Sequence, residues 1–221
     1  METGRRSGIL LHPTSLPSNY PIGDLGENAY TFIDIISEAG FSLWQILPLN
    51  PSNYANSPYM SSSSMAFNTL LIDPDSLLKE GLIVEIPPFK ASGRRNFTDY
   101  EAARQFKRDI MEKAYDRFDK NSHDFQAFCA KNKCLEEIAI FEILSQKYNG
   151  SWVQWPVKYS RDNIKRLKKE FRNEIVSYLF GQYIAQRQWR SLKEYAGKKG
   201  ISIIGDIPIY VDYNSYDVWA N

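Results

Sequence analysis

The string IIGDIPIYV at residues 203–211 constrains the fold of this chain more than any other feature. A run of branched apolar residues meets a single carboxylate, Asp206, and Pro208 follows two positions later. This pattern predicts a buried β-strand that delivers one acid to the rim of an α/β sheet. Barrel enzymes carry their chemistry on the loops at the carboxyl ends of parallel strands, so Asp206 is the first candidate functional residue. The alternative is an aspartate that only caps the turn after the strand.

Two earlier apolar runs, at residues 8–11 and 43–49, also predict strands. Between them, apolar residues recur at helical spacing over residues 30–39, and Gly40 ends the pattern. Asp24 followed by Glu27 predicts a helix start of the capping-box type. Strand, helix and strand in succession form a βαβ unit, which favours a parallel sheet with a right-handed crossover.

The chain between the second and third predicted strands is longer than a crossover needs. Residues 50–64 are rich in Ser, Asn and Pro, and a flexible surface loop is the default interpretation. Residues 100–196 carry mostly helical periodicity. We therefore expect three parts: the first strands with their loop at 1–73, a mainly helical inserted subdomain at 74–199, and the third strand with its aspartate at 200–221.

Composition excludes several function classes. The 27 Lys and Arg against 26 Asp and Glu give a net charge of +1, which argues against nucleic-acid or anionic-membrane partners. Neither a signal peptide nor an apolar run of membrane-spanning length is visible. Two His and two Cys at unsuitable spacing make no metal site, and no phosphate-binding glycine loop or GxSxG elbow occurs. We expect a soluble cytoplasmic protein without metal or cofactor.

Two further predicted strand exits carry polar or aromatic side chains. His12 ends the first strand and is expected to face the same rim as Asp206, although a lone histidine there is more often structural. The second strand leads to NSPY at 56–59, where Tyr59 would stack beneath a sugar ring and Ser57 would bond a hydroxyl. Such a turn is commonplace alone, but with Asp206 it completes three strand exits on one face.

Six strings occur in order from about residue 8 to the end: HPTSLP (12–17), PIGDLG (21–26), WQILPL (44–49), NSPY (56–59), IIGDIPIYV (203–211) and DVWAN (217–221). Together they resemble the 4-α-glucanotransferases called amylomaltase or disproportionating enzyme. The likeness covers nearly the whole chain, and several independent motifs in order make it specific.

The resemblance implies a (β/α)8 barrel of the α-amylase type, with a large helical insertion and only its first strands present here. It also implies transfer of α-1,4-glucan segments between maltodextrins by a retaining double displacement. Asp206 matches the family's aspartate after the third strand, which contacts the glucose at the cleavage point and the arginine beside the nucleophile. Tyr59 matches the aromatic platform under that glucose, Ser57 its neighbour, and Tyr54 a residue of outer glucan binding.

Length is the main departure from the family pattern, because the nucleophile and the acid/base lie on later strands. The chain is therefore expected to be the N-terminal portion of a protein about twice as long, and to be poorly folded, inactive or aggregation-prone when it is expressed alone. A smaller departure is Tyr216, where relatives carry a small residue.

Three rival functions stay open on the sequence alone. An α-glucan hydrolase of the same architecture differs only in its acceptor. A non-catalytic glucan-binding protein would use Tyr59 and the aromatic loops. A nucleotide-binding α/β domain comes last because no phosphate loop is present.

Overall fold

The computed structural model describes residues 4–53, 55–89 and 98–221 of the chain. Within that part, three short parallel strands form one sheet: β1 (Gly8–Leu10), β2 (Leu43–Gln45) and β3 (Ser202–Ile204), in the order β1-β2-β3. Ile9 lies opposite Trp44, and Trp44 lies opposite Ile203. Helix α1 (Glu27–Glu38) connects β1 to β2, which confirms the predicted βαβ unit and the α/β class.

The other helices follow β2 in the chain. They are α2 (Pro74–Lys79), α3 (Tyr100–Arg117), α4 (His123–Lys131), α5 (Cys134–Tyr148), α6 (Arg161–Glu170), α7 (Arg172–Lys198) and α8 (Tyr216–Trp219). In the sequence, the spacing of apolar residues is interrupted around Gly181, but the helix continues through that position. The interruption in the structure lies at Phe171, between α6 and α7. None of the helices in the described ranges combines the length and apolar character needed to cross a membrane.

The chain divides into two compact units, each built from three segments. We call one the sheet unit; it comprises Met1–Leu49, Thr69–Phe118 and Ile184–Asp206. We call the other the loop unit; it comprises Asn50–Asn68, Asp119–Tyr183 and Ile207–Asn221. The three-part division by sequence order stays a prediction.

In the sheet unit, one face of the sheet packs on α1. Trp44 is fully buried, its ring centroid lies 5.1 Å from that of Phe32, and its indole N–H donates to the carbonyl of Leu11 at 2.8 Å. On the opposite face, Leu10 is 56% exposed and Ile204 is 41% exposed. Side chains alternate between the two faces of a strand. The neighbours of Ile9, Trp44 and Ile203 along each strand therefore lie on the exposed face, opposite α1.

The prediction of a strand that delivers Asp206 to the edge of the sheet is confirmed, but the prediction that this strand is buried was wrong. β3 ends at Ile204, two residues before the aspartate, and Ile207 and Ile209 beyond it are 72% and 82% exposed. Branched residues indicate a strand, but the burial of a strand depends on what covers it, and the described helices cover only one face of this sheet.

The start of α1 also differs from the predicted capping box. Gly26 is the N-cap, and no side chain caps the helix. Asp24 instead accepts a hydrogen bond from the Gly26 N–H at 3.1 Å and pairs with the buried Lys107 ammonium at 2.8 Å. Glycine is required at 26 because an added Cβ would lie 2.6 Å from the Asp73 carboxylate. The aspartate thus neutralises an interior charge and does not begin a helix.

The loop unit has an aromatic core. The ring of Phe141 on α5 lies 5.3 Å from the ring of Trp155 and 5.7 Å from that of Trp219 on α8. On the flank of this core, Lys168 of α6 pairs with Glu136 of α5 at 2.8 Å. The DVWAN string at the end of the chain therefore packs through its tryptophan.

Candidate functional site

The carboxyl edge of the sheet carries two of the predicted residues. His12 follows the end of β1 by two positions, and Asp206 follows the end of β3 by two positions. Pairing continues past the strands, since the Ile46 N–H donates to the carbonyl of Ile204 at 3.0 Å. The strands are parallel, so both side chains leave the sheet at the same edge. Asp206 is half-buried there.

His12 is buried and uncharged at neutral pH. Removal from water lowers its pKa to about 4, because burial disfavours the charged imidazolium. Its Nδ1 has no hydrogen-bond partner among the described residues. The neutral ring can therefore exchange one further hydrogen bond at this edge.

In the loop unit, the NSPY string forms the proline-set turn that the sequence predicts. The Met60 N–H donates to the carbonyl of Ser57 at 3.1 Å, which closes a β-turn with Pro58 in its second position. The Ser57 hydroxyl accepts from the Tyr59 N–H at 3.3 Å. Asn56, just before the turn, takes a left-handed conformation with φ of 55°. The turn presents Tyr59 as an exposed ring.

The serine run at 61–64 follows this turn directly. Ser61 and Ser63 are fully buried, so the default interpretation of a surface loop was wrong for them. The Ser61 hydroxyl oxygen lies 2.8 Å from the carbonyl of Pro51 and 2.7 Å from that of Ser63. Ser52 and Ser61 form an antiparallel bridge. The single hydroxyl hydrogen of Ser61 can serve one of these carbonyls at a time, while its oxygen accepts from the Ser63 N–H at 3.1 Å. The Ser63 hydroxyl in turn accepts from the Met65 N–H at 3.1 Å, so both serines bind the loop from inside.

The other two serines of the run bind carboxylates outside the loop. Ser62 donates to a Glu142 oxygen at 2.6 Å. Burial raises the pKa of the Glu142 carboxyl, and the hydrogen bond from Ser62 opposes that rise. Ser64 donates to the Asp217 carboxylate through its backbone N–H at 2.9 Å and through its hydroxyl at 2.5 Å.

Two glutamines of α7, which sequence reasoning missed, bind backbone in the manner of a peptide group. In the loop unit, Gln182 accepts from the Phe67 N–H at 2.7 Å and donates to the Phe67 carbonyl at 2.9 Å. In the sheet unit, Gln188 makes the same pair of bonds with Asp73, at 2.7 and 3.1 Å. Both amides are buried. The available signal was a glutamine directly beside apolar residues on a helix, which demands a polar partner inside the protein.

The 4-alpha-glucanotransferase family model matches residues 11–221 of this chain. The chain belongs to the 4-alpha-glucanotransferase family. The match confirms the family that the six ordered strings predict, and it covers both units.

Relatives in this family agree with the match. The 4-alpha-glucanotransferase of Synechocystis is 40% identical over 98% of this chain, and that of Aquifex aeolicus is 39% identical over 98%. The amylomaltase from Streptococcus agalactiae, solved in complex with acarbose, superposes with a TM-score of 0.91 at 34% identity over 98% of this chain. The chain spans 45% of the length of each of the two sequence relatives and 46% of the solved chain.

Within this family member, the structure groups the predicted residues in two places. His12 and Asp206 share the sheet edge, and Ser57 and Tyr59 share the turn. Tyr54 lies outside the described residues, so its part in outer glucan binding stays a prediction.

Proposed function

We propose that this chain is part of an enzyme that transfers α-1,4-glucan segments between maltodextrins by a retaining double displacement. The observation that carries the proposal is the family match over residues 11–221, because it spans all the ordered motifs. The amylomaltase relative in complex with acarbose supports a carbohydrate ligand for this fold.

We propose that the three strands are the first strands of a (β/α)8 barrel of the α-amylase type. The strands are parallel and sequential, with helices between them, as in a barrel. Parallel sheets are normally covered on both faces, so the exposed row of Leu10 and Ile204 fits the interior face of a closed barrel. The large helical segment between β2 and β3 is the insertion that the resemblance implies.

Asp206 takes the part of a supporting carboxylate in this proposal. Retaining transfer needs one carboxylate as nucleophile and a second carboxylic acid as proton donor, and a sugar hydroxyl then replaces water as acceptor. The family places both groups on later strands. Asp206 would bind a hydroxyl of the glucose at the cleavage point and hold the arginine beside the nucleophile, a contact that gains strength as positive charge develops on the sugar.

Tyr59 and Ser57 of the loop unit, and His12 of the sheet unit, are each proposed to bind glucan. The exposed Tyr59 ring offers a flat apolar face to the sugar ring. The Ser57 oxygen already accepts from the Tyr59 N–H, so its hydroxyl hydrogen remains to donate to the glucan. His12 would contact the glucan at the carboxyl edge of the sheet, and Tyr54 would contact glucose units farther from the cleavage point.

The test is incubation of the full-length enzyme with maltotriose, followed by separation of the products by chain length. Transfer yields glucose together with oligosaccharides longer than the substrate. Products that are all shorter than maltotriose would show water as the acceptor and would replace the proposal with the hydrolase alternative. An enzyme that binds maltotriose without converting it would favour the non-catalytic alternative.

A further inference from the structure

We infer that Asp217 is a positioning residue: through Ser64, it holds the 57–60 turn in the pose that receives a glucan ring. The inference rests on the proposed function, because the turn is a glucan contact only there. Asp217 belongs to the DVWAN string. This string helps to identify the family, but neither the resemblance nor the proposed site assigns it a functional role.

Asp217 is itself held firmly in α8. Ser215 caps this helix by accepting from the Val218 N–H at 3.3 Å, and Asn221 donates to the Asp217 carbonyl at 2.8 Å. The Asp217 carboxylate accepts hydrogen bonds from both the backbone N–H and the hydroxyl of Ser64, at 2.9 and 2.5 Å. Two charge-assisted bonds to one residue fix both its position and its orientation.

The segment that carries Asp217 touches the loop on both sides of the turn. Before the turn, the Asp212 carboxylate accepts from the Asn53 side-chain amide. After the turn, the Tyr216 N–H donates to the carbonyl of Ser62 at 2.8 Å, and the Asp212 N–H donates to that of Ser61 at 3.4 Å. The segment Ile207–Asn221 therefore acts as a clamp on the loop. Within this clamp, Asp217 contributes the two charge-assisted bonds to Ser64.

The serine run transmits this anchor to the turn. Ser64 lies four positions after Met60, the last residue of the turn. The residues between them are tied down, since Ser61 and Ser63 are buried and linked at 2.7 Å. Asn53 then bonds the turn itself, because its N–H donates to the Met60 carbonyl at 3.1 Å. A shift of Ser64 must consequently move the turn or break these buried bonds.

Chain connectivity gives the arrangement a functional consequence. The clamp segment begins at Ile207, immediately after Asp206. One stretch of chain thus carries both the supporting carboxylate and the anchor of the turn that presents Tyr59. A turn held in one pose fixes the place of the Tyr59 ring within the loop unit, and a misplacement of about 1 Å in a substrate contact can lower a rate on the order of 100-fold.

The first experiment measures hydrogen exchange in the full-length enzyme and in its Asp217→Asn and Ser64→Ala variants. Asn keeps the size of the side chain but loses the charge and one acceptor. The inference predicts faster exchange of the loop amides from 53 to 64 in both variants. Asp162→Asn is the matched control, since Asp162 is an exposed carboxylate in the first turn of α6. Unchanged exchange of the Ser64 amide in Asp217→Asn would overturn the inference, whether or not the enzyme transfers glucan.

The second experiment is a double-mutant cycle on maltotriose transfer with Tyr59→Ala. If Asp217 acts through the turn, Asp217→Asn lowers kcat/KM about tenfold in the native background and less than about twofold once Tyr59 is removed. An equal loss in both backgrounds would assign Asp217 a merely structural part and contradict the inference. Absence of transfer by the native enzyme would instead refute the proposed function, and hydrogen exchange would then decide the inference alone.

Discussion

The carboxyl edge of the sheet and the loop at 50–68 hold their candidate residues by different means. At the edge, His12 and Asp206 are placed by backbone pairing of parallel strands, because each lies two residues past a strand end. In the loop, the positions of Ser57 and Tyr59 depend on individual side chains. These are the hydroxyls of the serine run at 61–64 and the two carboxylates that bind Ser62 and Ser64. We therefore expect the edge to tolerate substitution of neighbouring side chains, and the loop to be sensitive to the loss of single polar groups.

The largest expected effect falls on the sheet unit, at the buried pair of Asp24 and Lys107. Lys107→Met should cost about 3 to 5 kcal/mol of unfolding free energy, since it leaves an uncompensated buried carboxylate. Urea unfolding of the full-length enzyme measures this cost. The double variant Asp24→Asn/Lys107→Met should recover part of it, and a single variant as stable as the native enzyme would contradict the pairing.

The next effect tests the edge as a place of chemistry. Asp206→Asn in the full-length enzyme should lower kcat for maltotriose transfer by about 10²- to 10³-fold, the scale for losing one group that stabilises a transition state. The unfolding midpoint should change little, because backbone pairing next to Ile204 sets the path of the chain that carries Asp206. Native turnover in the variant would remove the edge from the proposed site.

The pH dependence of stability tests the state of His12. The pKa of His12 in the folded protein is about 4, below its ordinary value of 6.5. Between these two pH values, the unfolded chain is protonated at His12 and the folded protein is not. The contribution is fully present above pH 6.5 and is lost as the pH falls toward 4, by about 3 kcal/mol. We expect His12→Gln to lack this part of the pH dependence of unfolding. Parallel curves for the two proteins would show that His12 is not buried as a neutral ring.

The smallest effect is expected at the two glutamines of α7 that bind backbone, Gln182 and Gln188. Gln182→Leu should cost about 1 to 3 kcal/mol of unfolding free energy, because it removes both hydrogen bonds to the part-buried backbone of Phe67. Gln188→Leu should cost a similar amount through Asp73. The comparison sharpens in hydrogen exchange: Gln182→Leu should loosen the loop from 50 to 68, and Gln188→Leu should leave it unchanged. Equal loosening of that loop by both variants would contradict separate anchoring.

The sequence predicted what period and order can reveal. The parallel βαβ unit, the helical middle of the chain and the Pro58 turn follow from apolar spacing and local turn chemistry, and the family follows from the ordered strings. The exposure of β3 could not be predicted, because branched residues favour strands whether or not both faces of the sheet are covered.

The anchors of the loop also escaped prediction, for a different physical reason. Ser64 and Asp217 lie 153 residues apart in sequence, and Phe67 and Gln182 lie 115 apart, so no local pattern joins them. A serine run has the composition of a loop, and its burial depends on distant partners. The cytoplasmic location, the part of Tyr54 and the division at 73 and 199 stay predictions.

The most direct test of the central claim follows the oxygen of water. The full-length enzyme would act on maltotriose in ¹⁸O-labelled water, and mass spectrometry would read the short-time products. Transfer predicts longer oligosaccharides whose newly formed bonds contain no label, because the acceptor is a sugar hydroxyl. One ¹⁸O atom gained for every bond cleaved, without lengthened chains, would contradict it.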